Sequence, residues 1–324
     1  MVGKWRIAVV VSALVIASTL SVSAGASRAS RPTLTQLKAD VSVAVKQAKP
    51  PNLSTTIPPL LSLTWQDTTL ANMNFSCYPL SGWPFPSHAS KTCVWGDATS
   101  KKTMFVFGDS ESAMWLVALS PVAKALGWRI VFVAHTGCAP WPDQSDTTYS
   151  GQNNANCITW DKNDLALEKS LRPQIVMPIG ALGAGGASKY PTSAQVKSEV
   201  TTLIRDVAPA RVIQLSPIPM YEPLVVTYSP ATCLVTAKDI RKCEFSPAVM
   251  VNPPLVTGQK AAATAAKEPF INVTPLFCTA TKCALVVNGA GERLVYYDNW
   301  HANRFYMDWI SSAFEQLLKS ALPK

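Results

Sequence analysis

The sequence predicts an α/β protein, a three-layer α/β/α sandwich whose mostly parallel central sheet is covered on both faces. Three observations predict it. From about Lys101 onward, short continuous apolar runs alternate with stretches of helical spacing, the pattern of strands buried on both faces between crossover helices. Hydrophobic residues make up 48% of the 324 and charged ones only 15%, enough for a large core and against disorder. The eight cysteines form an even set in a chain that opens with an export-like segment, so disulfides are expected to stabilise the fold.

In chain order, Lys4 and Arg6 precede an apolar run over residues 7–20, and small residues follow up to Ala24 and Ala26. This is the layout of a secretory signal peptide over residues 1–26, the alternative being an uncleaved anchor. Everything after it is expected to be secreted or extracytoplasmic. Residues 27–75 are rich in Ser, Thr and Pro, with Pro50-Pro51 and Pro58-Pro59 as breaks. They read as an extended lead-in with one short helix over residues 34–47.

Residues 76–324 form the expected main domain. Strands are predicted over residues 103–107, 128–134, 174–179, 211–215 and 270–273. Helices are predicted over residues 111–126, 161–171 and 194–207, with a closing amphipathic helix over 302–319. Pro121 is expected to bend or split the first of these helices. For the cysteines, sequential pairing is the simplest choice, each couple bracketing a loop-like segment: Cys77–Cys93, Cys138–Cys157, Cys233–Cys243 and Cys278–Cys283. Spacing alone does not fix that connectivity. A metal site is disfavoured, with no CxxC and three scattered histidines, and no cofactor is expected.

The net charge of +9 suits an anionic envelope surface or glycan. Its basic residues are scattered rather than striped with aromatics, which argues against nucleic-acid binding. A monomer is expected.

Open parallel sheets bind ligands at the carboxyl ends of their strands. There the first strand runs into Phe107-Gly108-Asp109-Ser110. Gly permits a tight turn, and Ser110 stands at a helix N-terminus whose free N–H groups can hold an oxyanion. Taken alone, Ser110 reads more readily as an N-cap than as a nucleophile. Near the other end, Asp298-Asn299-Trp300-His301 places an acid three residues before a histidine, so the carboxylate can fix the imidazole tautomer. The two motifs in this order reverse the reading of Ser110. His88 and His135 lack an acid or Cys at catalytic spacing and read as structural. The glycine-rich residues 180–186 lack dinucleotide-loop spacing and read as a loop at the site rim. Trp115 reads as core, and Trp300 as a residue that stacks on a sugar ring.

These residues resemble the first and last motif blocks of the SGNH (GDSL-type) hydrolases. The chain is most similar to the SGNH domains fused to, or partnered with, acyltransferase-3-type membrane proteins. The resemblance runs through Trp115-Leu116, Leu126-Gly127-Trp128, Thr136-Gly137-Cys138-Ala139-Pro140, Cys157-Ile158-Thr159-Trp160, Phe277-Cys278, Cys283 and Tyr297-Asp298-Asn299-Trp300-His301, over roughly residues 77–320. It implies a flavodoxin-like sheet, with Ser110 as nucleophile, His301 as general base, Asp298 as its orienting partner, and the Ser110 and Gly137 amides as oxyanion hole. It also implies esterase or acyltransferase action on O-acyl, chiefly O-acetyl, groups of envelope carbohydrate. A membrane acyltransferase-3-type partner follows from it too. The competing expectation is a weak or inactive domain that binds glycan for such a partner.

Two departures from the family stand out. The third block of the family ends a middle strand with an oxyanion Asn, whereas here the strand ends Pro178-Ile179-Gly180-Ala181. After the nucleophile comes Glu111 rather than His. Glu111 is a candidate substrate contact, or a charge that raises the His301 pKa, or simply an acid favoured at a helix start.

Overall fold

The computed structural model describes residues 31–58, 77, 93–135, 138–140, 154–180, 191–219, 230–247, 253–289, 291–298 and 301–323. The signal or anchor expected over residues 1–26 lies outside them. Among the described residues no helix is long and apolar enough to cross a membrane.

The central sheet runs β1–β3–β2–β4–β5, with β1 Val94–Gly96, β2 Thr103–Gly108, β3 Arg129–Ala134, β4 Ile175–Ile179 and β5 Arg211–Val212. All neighbours are parallel except the edge strand β1, which pairs antiparallel with β3. The predicted fourth strand is interrupted at Ile213. It resumes as β6 Gln214–Leu215, which turns to pair in parallel with β7 Phe270–Ile271. The Ile213 N–H still bonds the Val176 carbonyl at 3.0 Å, so β6 and β7 continue the sheet beyond β4.

The three layers follow from the alternation of side chains along each strand. Met104 and Val106 of β2 and Ile130 and Phe132 of β3 face one core, together with Met114, Trp115, Ala118 and Phe314. Phe105, Phe107, Val131 and Val133 face a second core on the opposite side, with Val196, Val200, Leu203 and Leu255. The first layer is α2 Ser110–Ala125 with α7 Arg304–Trp309 and α8 Ser311–Ala321, and the second is built on α3 Asn154–Leu171, α4 Ser193–Asp206 and α6 Pro253–Ala266. Helix α5, Pro230–Thr236, lies in the connection before α6.

Several elements differ from expectation. Helix α2 is continuous through Pro121. The Pro lacks one N–H bond, but the helix buries Val122 and Ala123 just beyond it, and that packing carries the chain on in register. The closing helix is two helices meeting at Ile310. Helix α6 and the hairpin of β8 Val286–Asn288 with β9 Glu292–Leu294 were not expected.

The lead-in also behaves differently over its described part. Helix α1, Leu34–Ala44, opens with a capping box between Thr33 and Gln36, and it buries Leu37, Val41 and Ala44 in the first core. Ile57 then bonds Glu292 and Leu294 of β9 through its backbone. Residues 31–58 are therefore packed on the domain rather than strung out before it.

Disulfides join Cys77 to Cys93, Cys138 to Cys157, Cys233 to Cys243 and Cys278 to Cys283. The second ties the loop after β3 to α3, beside the carboxyl edge of the sheet.

Candidate active site

The turn that carries Ser110 is built by close backbone approach. At the end of β2, Gly108 has φ +140°, and a Cβ there would overlap the carbonyl oxygen of Ile179 at the end of β4. Only glycine lets the two parallel strands close at this point. The Asp109 N–H then donates to that same carbonyl at 3.3 Å, and the His135 N–H of the loop after β3 donates to the Gly108 carbonyl at 2.7 Å. The turn is pinned from both neighbouring strands.

Asp109 caps α2. Its backbone is extended, and its Oδ1 accepts the Glu111 N–H at 2.8 Å, while its carbonyl accepts the Ser112 hydroxyl at 2.6 Å. The capping role open to Ser110 in the sequence thus falls to its neighbour. Ser110 is the first helical residue and half-buried, and its hydroxyl has no hydrogen-bond partner among the described residues. Its N–H stands at the positive end of a sixteen-residue helix.

The acid and histidine meet as the spacing implied. His301 Nδ1 lies 2.8 Å from Asp298 Oδ2, and the His301 backbone N–H donates to Asp298 Oδ1 at 2.7 Å. With Nδ1 held by a carboxylate, the proton sits there and Nε2 is left as the basic nitrogen. The turn is closed by the Tyr297 N–H donating to the His301 carbonyl at 2.8 Å. The side chains are 37% and 21% exposed for Asp298 and His301, a pair partly open to solvent rather than sealed in a core.

One contact joins the two halves. The Ala302 N–H, next to His301, points at Met114 Sδ at 2.9 Å. Met114 is four residues after Ser110 and so lies on the same face of α2, one turn on. No pattern in the sequence announces this contact.

Glu111 is 2% exposed, which turns its carboxyl to the interior instead of the open rim. Burial, reinforced by the Asp109 carboxylate, pushes its pKa well above the ordinary range. The Ile218 N–H, which approaches the carboxyl without reaching close hydrogen-bond geometry, offsets this only in part.

At the end of β4, Gly180 occupies the position after Ile179. A Cβ there would lie 2.6 Å from Pro140 Cδ and 2.9 Å from Asp109 Oδ2, so the chain is closely packed behind the Ser110 turn. Gly137 and Trp300, named for the oxyanion hole and for sugar stacking, lie outside the described residues, as do His88 and residues 181–186 of the glycine-rich loop. Trp115 is fully buried against Phe314, ring centroids 4.7 Å apart, and is core.

His135 has an acid neighbour that spacing could not reveal: Asp164, on α3, comes within 3.6 Å of its Nε2. Burial lowers the His135 pKa and raises that of Asp164, so this pair is set toward neutral forms. Among the described residues no cluster of His, Cys, Asp or Glu is arranged to hold a metal ion.

A family model described as "SGNH domain (fused to AT3 domains)" matches residues 76–316. No curated protein sequence matches the chain. Among solved structures, the periplasmic domain of a lipopolysaccharide acetyltransferase from Salmonella ser. Paratyphi A superposes with a TM-score of 0.56 at 14% identity, covering 80% of this chain and 99% of that one. A carbohydrate acetylesterase from Sinorhizobium meliloti gives 0.41 at 14% identity over 68% of this chain and 100% of its own. An aryl esterase from M. smegmatis gives 0.40 at 16% identity over the same shares.

Proposed function

This chain belongs to the SGNH domain family, of the kind fused to AT3 domains, and we propose that it is an exported O-acyl esterase or acyltransferase working on cell-envelope carbohydrate. Membership of the family makes it an enzyme of acyl-ester chemistry, esterase or acetyltransferase. The finer reading takes acetyl as the acyl group and Ser110, His301 and Asp298 as the triad. It also takes a membrane acyltransferase-3-type protein as the partner that delivers the acyl donor. The envelope assignment leans on the export-like N-terminus, the even cysteine set and the likeness to the periplasmic domain of the Salmonella lipopolysaccharide acetyltransferase.

The observation that carries the reading is the division of labour at the start of α2. Asp109 satisfies the helix end, which leaves the Ser110 hydroxyl uncommitted at the dipole's positive end. The Asp298–His301 pair is tied to the same helix one turn away. In the proposed step, Ser110 Oγ attacks the ester carbonyl as His301 Nε2 takes its proton, and Asp298 stabilises the imidazolium. The carbonyl oxygen gains the negative charge facing the Ser110 and Gly137 amides. Collapse breaks the C–O bond, His301 returns the proton to the leaving oxygen, and an acyl ester remains on Ser110. Water or a carbohydrate hydroxyl, deprotonated by His301, then attacks that ester and restores the serine.

Replacing Ser110 with Ala tests this. Release of product from a chromogenic acetyl ester is expected to fall by roughly 10³-fold or more. Unchanged release contradicts the assignment.

A second reading rests on β4 ending in Gly180 where the family pattern carries the oxyanion Asn. Loss of one such donor typically costs about 3 kcal/mol of transition-state stabilisation. On that reading the domain binds glycan for a catalytic partner and does little chemistry itself. A folded protein with no reactive serine would favour it.

A further inference from the structure

We propose that Glu111 is a positioning residue for Ser110 that acts as a neutral acid, and that its ionisation switches the nucleophile turn off. The proposal deepens the reading above and rests on it. Glu111 is the residue after the proposed nucleophile and is 2% exposed, and the one donor that approaches its carboxyl among the described residues is the Ile218 N–H, outside close hydrogen-bond geometry. An ordinary acid in the first turn of a helix is ionised, solvated and favoured by the dipole. This one is sealed beneath the turn, beside a second buried carboxyl, Asp109, which already accepts the Glu111 N–H. An unsolvated carboxylate with one weak donor and a second carboxyl beside it is costly, so the group keeps its proton.

Among the described residues the neighbourhood offers no countercharge. From the nucleophile turn the ionisable neighbour is Asp109, whose charge opposes ionisation. The segment after β6 brings the Ile218 N–H and Ser216, whose hydroxyl oxygen already accepts the Val273 N–H. The turn before α7 brings Asp298 and His301, paired with each other. On α7 and α8, Asp308 and Lys319 are exposed, and Arg304 and Glu315 are half-buried. None of these four is among the groups that act on Glu111. In β2, β3 and β4 the ionisable side chain is Arg129, hydrogen-bonded to Thr103 at the far, amino end of the sheet.

Ionised Glu111 would set a second negative charge beside Asp109, one residue from the oxygen that attacks. It would oppose the charge that forms on the substrate carbonyl. At this range, through a poorly solvated protein medium, the repulsion amounts to about a tenfold loss of rate or more. The proton that leaves Glu111 goes to solvent, and no bond to substrate is involved.

The test is the pH profile of kcat/KM for a chromogenic acetyl ester, for wild type, Glu111→Gln and Glu111→Met. Wild type is expected to fall on the alkaline side by about tenfold. Both neutral variants, each normalised to its own plateau, are expected to lose that fall while the rest of the profile is kept. Met guards against failure of Gln to fold, because an apolar side chain suits a site with no close hydrogen-bond partner. An alkaline fall unchanged in the variants overturns the proposal.

A second arm does not need catalysis. A buried acid with a raised pKa contributes stability that is full below the ordinary Glu value and is lost as pH rises toward the raised one. The wild-type midpoint of thermal unfolding should therefore decline with rising pH relative to Glu111→Gln, and a constant difference overturns the proposal. If Ser110→Ala leaves hydrolysis unchanged, the functional reading fails, and the unfolding arm still reports on Glu111.

Discussion

Ser110 illustrates how much one hydrogen bond decides. Asp and Ser are both good N-caps, and in Asp109-Ser110 they stand side by side, so the sequence cannot say which one caps α2. The structure gives the role to Asp109, whose Oδ1 takes the Glu111 N–H. Gly108 was legible as a turn glycine, but its real constraint is the Ile179 carbonyl, which comes from a strand some 70 residues later. Asp298 and His301 were fully legible because their geometry is local, three residues apart on one turn. The His135–Asp164 contact was not, because α3 brings its acid from a distant part of the chain. If Asp298 sets the His301 tautomer, Asp298→Asn should keep the fold and lower kcat on a chromogenic ester by roughly 10³-fold with little change in KM. An undiminished kcat would separate the pair from the chemistry.

At the scale of elements, α2 is what turns the sheet edge into a site. Its buried face carries Met114, Trp115, Ala118, Leu119 and Val122, spaced to meet α7, α8 and the sheet together. That spacing was readable, and so were the interior strands β2, β3 and β4, each a continuous apolar run. Edge strand β1 is only three half-buried residues and leaves no pattern to read. Helix α6 was missed, although Pro253 at its first position and the alanines near its end are both helix signals. Pro121 misled in the other direction, because tertiary packing outweighs the bond it removes. Trp115 sits fully buried between Phe277 and Phe314 beneath the nucleophile. Trp115→Ala should cost about 3–5 kcal/mol of stability, read as a lowered urea midpoint. A loss under about 1 kcal/mol would mean that α2 is not anchored there.

For the whole molecule, sheet order explains why segments about 190 residues apart in sequence meet at one edge. Parallel strands β2, β3 and β4 present their carboxyl ends together, and the chain returns through β9 to lay the Asp298–His301 turn on α2. This was foreseeable in outline from alternating strands and helices. Docking of residues 31–58 was not, because α1 has a weakly apolar sequence and reveals its inner face only against α8 and β8. The most direct measurement of the central claim is labelling of the intact protein with a fluorophosphonate probe, followed by mapping of the modified peptide. Stoichiometric modification at Ser110, lost in His301→Ala protein that still folds, is the predicted result. Folded protein that stays unlabelled, or is labelled at another serine, would contradict it.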